Sequence, residues 1–446
     1  MWSKPMLSDL ARKCGGELMG GDQEIIRIST DTRTLQAGDI YVALKGPSFD
    51  GHGYIEAATE KGAVALIVSS AVESELPIVL VKDTRQALGY IAQIIREAFS
   101  GQVIALTGSV GKTSTRAMLK EIFSMQPGLL STEGNFNNDI GVPKTWFALT
   151  EDHQRVLLEL GASAQGEIDW LCQISKPHIS LLLNAGESHT EGFGGLDGVR
   201  KAKGEIIDGT DLEGGCVLNQ DDPHFGQWLK RAGDRKVVSF GKHTDADVCL
   251  LSYSASSYGS EFTLGLPDGD ISVSWGMFGM HMAMNAAAAA ATAWLAGVSS
   301  LDIAEGLSKM QPEAGRLQPL ESKHGGALIH DAYNANPISF MAAIDVLEQL
   351  GDDTLLIAGD MGELGEESTN HHRNVGDYAR GKVKNIWSVG RHAFHITDAF
   401  GGHHFESMSD LLAVLPSKLE STTAVLVKGS RSAGMERVVD VLKRND

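Results

Sequence analysis

The chain is poor in cysteine. Its 446 residues contain four, Cys14, Cys172, Cys216 and Cys249. No two of them form a C-x-x-C pair, which argues against a zinc site or a disulfide framework and for free thiols in a reducing compartment. It also lacks any run of about 18 strongly apolar residues, which argues against a membrane-spanning helix. The nearest approach, Ala283–Ala296, is built of weakly apolar alanine and interrupted by Asn285. The opening MWSKPMLSDLARKCGGELMGGD has no apolar core of signal-peptide length, so a cytoplasmic location is expected. Positive charge is scarce. Lys and Arg number 38 against 57 Asp and Glu, a formal charge of −19, which disfavours a general nucleic-acid binder and attraction to an anionic membrane. Internal repeats and low-complexity tails are missing too.

What is present is ordinary globular composition, 42% hydrophobic and 21% charged, at a length that suggests about three domains. Short apolar runs at Glu24–Ser29, Asp39–Leu44, Ala63–Val68 and Ile78–Val81 read as strands, with helices near Tyr54–Lys61 and Thr84–Phe99. After a break at Ser100–Gly101, the near-continuous apolar runs Val103–Gly108, Arg155–Gly161 and Ile179–Gly186 fit a parallel sheet covered on both faces. Asp247–Trp275 changes to short alternating segments with turns at SYGS and PDGD, a small antiparallel sheet appended to the parallel one. The last part alternates again. Strands at Ala327–Asp331, Thr354–Asp360, Asn385–Gly390 and Ala424–Ser430, with helices at Pro337–Leu350 and Ser432–Leu442, give a Rossmann-like sheet. The expected organisation is α/β in three domains: 1–99, 100–312 and 313–446.

Thr107–Ser114 reads TGSVGKTS, with a strand before it and a helix from Thr113 after it. That is the context a phosphate loop needs. Gly108, Ser109, Val110 and Gly111 would curl backbone N–H groups around phosphate oxygens at a helix N-terminus. Lys112 would neutralise β/γ-phosphate charge, Thr113 would offer its hydroxyl to Mg²⁺, and Ser114 completes the motif. Leu106 stands where the longer Walker pattern has its first glycine, so this is a short G-x-x-G-K-[ST] loop. The alternative is an ordinary glycine turn.

A nucleotide site also needs oxygen or nitrogen ligands for its cation. Glu159 ends the strand Arg155–Gly161 on the edge where open α/β sheets bind ligands; it reads equally as a solvated strand end. His189 follows the next strand, in NAGESHTEGFG, and reads as a ligand or as a surface histidine. Lys203 lies in VRKAKGEI beside Lys201 and Glu205, which by composition is a solvated helix face.

Several segments together resemble the Mur ligase family, the ATP-dependent amide-forming enzymes of peptidoglycan synthesis: TGSVGKTS, EGNFNNDIGVP, ELGASAQGEI, AKGEI, DAYNANP, GDMGELG and LVKGSRS, with STDTRTLQAGDIYVALKG near the N-terminus. The resemblance covers essentially the whole chain. DAYNANP, GDMGELG and LVKGSRS resemble the branch that adds D-alanyl-D-alanine, and the D-N-P-R motif of the diaminopimelate-adding branch is absent.

The resemblance implies a first domain that holds the UDP end of the substrate, a central ATPase core, and a Rossmann-like third domain that carries the incoming amine. It implies that UDP-N-acetylmuramoyl-tripeptide is activated by ATP as an acyl phosphate and then attacked by D-alanyl-D-alanine. Two Mg²⁺ ions are expected, with Thr113, Glu159 and His189 as ligands and Lys203 acting as a CO₂-derived carbamate; Lys201 is the competing lysine. Lys112, Lys203 and His189 are the implied catalytic residues. Asn285 is implied at the adenine, Arg316 at the nucleotide phosphates and Asp331 at the ribose. The sequence departs from the family pattern at His281–Met282, where His-Asn is usual, and at His330, where an acidic residue is usual. Ser29, Asp31, Thr32 and Arg33 resemble the uridine-diphosphate loop, and Asn135, Asn137 and Asn138 the strip beside the muramoyl-peptide. Tyr333, Asn334 and Asn336 would wall off nucleotide from amine. Lys428 and Ser430, at a helix start, would hold the dipeptide carboxylate by charge and dipole. Nucleic acid and membrane insertion are not expected. Three other readings remain: a sibling ligase with a different amine, a P-loop ATPase acting as a conformational switch, and a structural cell-wall assembly partner.

Overall fold

The computed structural model describes residues 4–46, 49–186, 193–256, 259–312 and 314–444. Three main sheets follow one another along the chain. The first has the strand order Glu17–Met19, Ile78–Leu80, Ala65–Val68, Ile40–Val42, Ile28–Ser29, parallel except at the Glu17–Met19 edge. The run Glu24–Ser29 is therefore mostly not strand: Ile28 and Ser29 form a two-residue strand, Glu24 makes an isolated antiparallel bridge to Met6, and Ile26 is 57% exposed. Burial rather than β propensity decided this short edge.

The second sheet has nine strands, in the order Ile271–Trp275, Gly259–Gly265, Val248–Ser256, Lys236–Gly241, Gly215–Asn219, Ile179–Leu182, Gln102–Thr107, Arg155–Glu159, Leu129–Ser131. The expected small antiparallel sheet is not separate. Val248–Ser256 pairs in parallel with Lys236–Gly241, and the last three strands continue the same sheet antiparallel. Of its two expected turns, PDGD is a turn, and SYGS spans residues 257–260, of which 257 and 258 lie outside the described residues and Gly259–Ser260 open a strand. Gln102–Thr107 sits between Arg155–Glu159 and Ile179–Leu182, so the winding direction reverses there. In a doubly wound sheet this reversal opens a crevice at the carboxyl ends of the strands.

The Ala-rich segment is the helix Met280–Leu295, and Ala286 through Ala291 are fully buried. Alanine on every side allows close approach: the helix packs both on the sheet and on Lys112–Ser124, the helix that leaves the phosphate loop. The third sheet runs Gln318–Leu320, Leu328–Asp331, Ala424–Lys428, Thr354–Ala358, Asn385–Val389, His403–Phe405, parallel apart from its first strand. Its expected closing helix, Ser432–Leu442, is broken. Arg431–Ala433 is a 3₁₀ turn, Gly434 takes φ +62°, and the α-helix is Glu436–Leu442.

Two packing facts tie the sheets together. Leu7, Leu10, Leu88, Ile91 and Ile95 share one buried cluster with Val103, Trp146, Leu171 and Ile206, so the first sheet and its helix Thr84–Ala98 have a core in common with the second. Gly89 permits this contact, since a Cβ there would lie 2.5 Å from the Trp170 ring. At the other end, Phe278, from the loop before the Ala-rich helix, is 1% exposed inside the third unit's core with Leu317, Phe340 and Leu347. Burying that ring is worth roughly 1.5–3 kcal/mol. None of the helices among the described residues is long and apolar enough to cross a membrane. The four cysteines are free, and all but Cys14 are buried.

Candidate functional site

The crevice at the reversal point is lined first by Gly108–Ser114. Gly111 adopts φ +85°, and its missing Cβ leaves room for the Asn285 side chain, whose Oδ1 would lie 2.7 Å from such a carbon. Gly108 allows a similar close approach to Leu183. The Lys112 ammonium turns back on its own loop and donates to Gly108 O at 2.6 Å. Burial lowers its pKa, the Glu159 carboxylate opposes that, and the nearby Arg316 guanidinium adds to it. The helix after the loop starts at Lys112, one residue before the expected Thr113. Asn285 contacts the loop directly, and its Nδ2 lies 3.8 Å from Met282 Sδ. His281, at the other departure from the family pattern, is pushed down to about 4 by burial.

Glu159 closes its strand at 2% exposure, so it is not a solvated terminus. Its Oε1 accepts from Asn137 Nδ2 at 3.0 Å and lies 3.5 Å from Thr113 Oγ1. Its Oε2 has the Arg116 Nε 3.5 Å away but no hydrogen-bond partner among the described residues. A buried carboxylate oxygen with an open lone pair, next to a threonine hydroxyl, suits a hard cation. Arg116 was missed in the sequence. It reads there as an ordinary helix charge, yet it is buried and ties the Thr132 and Gly134 carbonyls to the site. Asn184 was missed as well. Its Oδ1 accepts from Ser109 N and Val110 N, both at 3.0 Å, and its Nδ2 donates to Val110 O at 3.0 Å. The one hint was an amide directly after the apolar run beside the phosphate-loop strand.

Burial separates the two lysines. Lys201 is exposed, whereas Lys203 is 2% exposed and makes no hydrogen bond or ion pair among the described residues. Its Nζ lies 5.8 Å from the Phe193 ring centroid. Burial, then the Lys112 charge, pushes its pKa down to about 7 against Glu167, Glu205 and Glu159. His189 lies outside the described residues, and no cluster of three or more His, Cys, Asp or Glu side chains suited to a metal occurs among the described ones.

The third unit faces this crevice with Arg316 stacked on Tyr333, 4.5 Å from guanidinium carbon to ring centroid. Its other polar groups bond to one another. Asp331 accepts from Leu317 N at 3.1 Å and from Lys428 Nζ at 2.6 Å. Lys428 is 1% exposed and also donates to Asn334 O at 3.1 Å. Asn334 Oδ1 accepts from Ala335 N at 2.8 Å. Asn336 caps the helix Pro337–Glu348 by accepting from Ser339 N at 2.8 Å, so its amide oxygen is committed to the fold. Asp331 is thus not the helix cap, which is Asn336, and each of its oxygens already accepts one hydrogen bond. The expected dipole behind Lys428 and Ser430 is that of a three-residue 3₁₀ turn, too short to carry the argument. Ser430 N instead donates to Asp360 O at 2.8 Å, and Ser430 Oγ meets Ser432 Oγ at 3.1 Å.

In the first unit, Asp31 accepts from Arg33 N at 2.9 Å and pairs with its guanidinium at 2.7 Å, which lowers the carboxyl to about 2. Ser29 Oγ donates to Asp31 O, and Thr32 O accepts from Lys61 Nζ at 2.7 Å. The loop is self-supporting, with Arg33 87% exposed beyond it. Asn135 is exposed, and Asn138 Oδ1 accepts from Gly141 N at 2.9 Å at the start of the helix Gly141–Phe147.

Comparison with known proteins agrees with this geometry over the full length. Residues 24–96 match the model described as Mur ligase family, catalytic domain, residues 106–293 the Mur ligase middle domain, and residues 315–431 the Mur ligase glutamate ligase domain. The UDP-N-acetylmuramoyl-tripeptide–D-alanyl-D-alanine ligase of Escherichia coli K12 is 40% identical over 444 residues, 98% of each chain. A crystal structure of MurF from Acinetobacter baumannii superposes with a TM-score of 0.91 at 34% identity, covering 99% of this chain and 98% of that one. MurF from Thermotoga maritima, solved in complex with ADP, gives 0.85 at 28% identity over 94% of this chain and 97% of that one. With a phosphate loop at the sheet reversal, a buried carboxylate beside it, and family matches in all three units, the chain belongs to the Mur ligase family.

Proposed function

We propose that the chain is an ATP-dependent ligase that joins D-alanyl-D-alanine to UDP-N-acetylmuramoyl-tripeptide, giving the pentapeptide precursor of peptidoglycan, ADP and phosphate. One observation carries the reading: a full-length likeness to ligases of that name, at up to 40% identity, converges on a crevice that joins phosphate loop, buried carboxylate and third-unit arginine. Residues 1–99 would hold the UDP end, 100–312 the nucleotide, and 313–446 the amine.

A carboxylate and an amine condense slowly because oxide is a poor leaving group. Phosphorylation of the tripeptide carboxylate converts that oxygen into phosphate, and the dipeptide amine then attacks the acyl carbon. The first step brings two anions together, so its barrier is electrostatic. The free N–H groups at the start of Lys112–Ser124, together with Lys112 and Arg316, would hold the β- and γ-phosphates against that repulsion. Asn285, packed on Gly111, would meet the adenine side. Thr113 and Glu159, with His189, would hold Mg²⁺, and the Glu159 Oε2, without a hydrogen-bond partner among the described residues, fits such a cation. Bound Mg²⁺ would supply Lewis-acid charge to the transferred phosphoryl group. Lys203 fits carbamate formation: burial lowers its pKa to about 7, so a substantial fraction of the amine is neutral near pH 7 and its nitrogen can bond CO₂ and release a proton. The product carries one negative charge shared by two oxygens where an amine had been. Closure of the third unit would exclude water from the acyl phosphate.

The test is a mass-spectrometric product assay with ATP, Mg²⁺, UDP-N-acetylmuramoyl-tripeptide and D-alanyl-D-alanine, each omitted in turn. A UDP-N-acetylmuramoyl-pentapeptide that requires all four supports the reading. ATP hydrolysis without it would point to a sibling amine or to a switch ATPase.

A further inference from the structure

We propose that Asn184 is a positioning residue for the phosphate loop, dividing the loop's N–H groups into those that build it and those that are left for the nucleotide. The proposal rests on the phosphate-loop reading above. Asn184 sits at the carboxyl end of the strand Ile179–Leu182, beside the strand that feeds the loop. Its carboxamide grips Val110 from both sides, taking the N–H on Oδ1 and giving Nδ2–H to the carbonyl, both at 3.0 Å. The same Oδ1 takes the Ser109 N–H, and Ser109 Oγ donates to Gly186 O at 2.8 Å. The neighbouring strand steadies the grip, because Asn219 Nδ2 donates to Leu183 O at 3.1 Å while Leu183 N donates to Thr107 O at 3.0 Å.

The next four residues are different. The N–H groups of Gly111, Lys112, Thr113 and Ser114 have no acceptor among the described residues, as the first turn of a helix requires. A side-chain amide is the right group for the clamp. It offers one acceptor and one donor in a fixed plane, which fits the C=O and N–H of a single residue. A carboxylate has the acceptor without the donor, and an alanine has neither. Without the clamp the short loop is free to rotate its peptides, and that ordering cost then falls on nucleotide binding.

The experiment compares ADP affinity by calorimetry and steady-state kinetics for the full-length protein and three variants. Asn184→Ala is expected to weaken ADP binding and raise the KM for ATP about tenfold, leaving the KM for D-alanyl-D-alanine within about twofold. Asn184→Asp, which keeps the acceptor and loses the donor, is expected to weaken ADP about threefold. If Asn184→Ala does not fold, Asn184→Asp decides alone. Wild-type ADP affinity in whichever of the two folds overturns the proposal. So does an equal loss for every substrate accompanied by a lowered unfolding midpoint, which is what a merely structural side chain would give. Lys112→Ala separates the two levels. If it keeps ADP affinity and turnover, the loop reading itself fails; if it alone loses them, only the role of Asn184 fails.

Discussion

The two sides of the crevice treat their polar groups differently. On the central side, Glu159 Oε2, the Lys203 amine and the N–H groups of Gly111–Ser114 stand without hydrogen-bond partners among the described residues. On the third-unit side, Lys428 holds Asp331, Asn334 binds the next N–H, and Asn336 caps a helix. The central side is therefore arranged in advance for charge to arrive, whereas Lys428, Asp331, Asn334 and Asn336 on the facing side bond within the fold, His330 Nε2 being a buried atom there with no hydrogen-bond partner among the described residues. The difference teaches that residues equally polar in sequence fall into two kinds. Some are held open by a scaffold, and some are the scaffold.

The largest expected break of this contrast is Lys112→Ala, which should lower ligation at least about 10³-fold with the circular dichroism spectrum unchanged; near-normal product formation would remove the phosphate loop from the mechanism. On the opposite side the loss should fall on stability. Lys428→Met leaves the buried Asp331 carboxylate uncompensated and should lower unfolding free energy by about 3–5 kcal/mol in urea titrations. Adding Asp331→Asn should recover most of that, and a double variant as weak as the single one would show that the pair is not the unit. Lys203→Ala should reduce turnover about 10²-fold, with partial rescue by short carboxylates; full activity in CO₂-free buffer would end the carbamate reading.

His281 lies at the seam, with Asp331, Lys428 and Asp345 among its charged neighbours. Burial holds it near 4, below the ordinary histidine value of about 6.5. The unfolded chain then binds more protons between those values, so stability present above pH 6.5 is lost as pH falls towards 4, by about 3 kcal/mol. His281→Gln should flatten that slope in denaturant titrations at pH 7 and 4.5. The smallest effect is Asn336→Ala, about 1 kcal/mol of stability from the lost cap with the KM for ATP unchanged; a raised KM would place Asn336 among the open groups instead.

What was legible in the sequence was local. The phosphate loop is contiguous, so strand, glycines, lysine and helix declare themselves together, and the parallel sheet follows from apolar runs long enough to be covered on both faces. Glu159 could be placed at a strand end but not told from a solvated terminus, because its burial depends on Arg116 and Asn137, which come from other elements. The Lys428–Asp331 pair joins residues 97 apart in sequence, and no local pattern encodes it. Asn184 escaped for the same reason: its meaning lies in the loop that packs on it. The helix expected over Ser432–Leu442 keeps only its later part, since Gly434 takes a left-handed φ and separates the 3₁₀ turn Arg431–Ala433 from the α-helix Glu436–Leu442.

The core common to the first two sheets has a consequence for substrate choice. Because Leu88 and Ile91 pack in one cluster with Trp146 and Leu171, the sheet next to the loop Ser29–Arg33 and the sheet that feeds the loop Gly108–Ser114 share one core. A substrate anchored at its nucleotide end must reach the phosphates with its terminal carboxylate, and each extended residue adds about 3.5 Å. With Ser29–Arg33 holding the nucleotide end as proposed, a dipeptide-bearing nucleotide would fall one residue short of the phosphates, and peptide length would be selected without contact to the side chain at the tip.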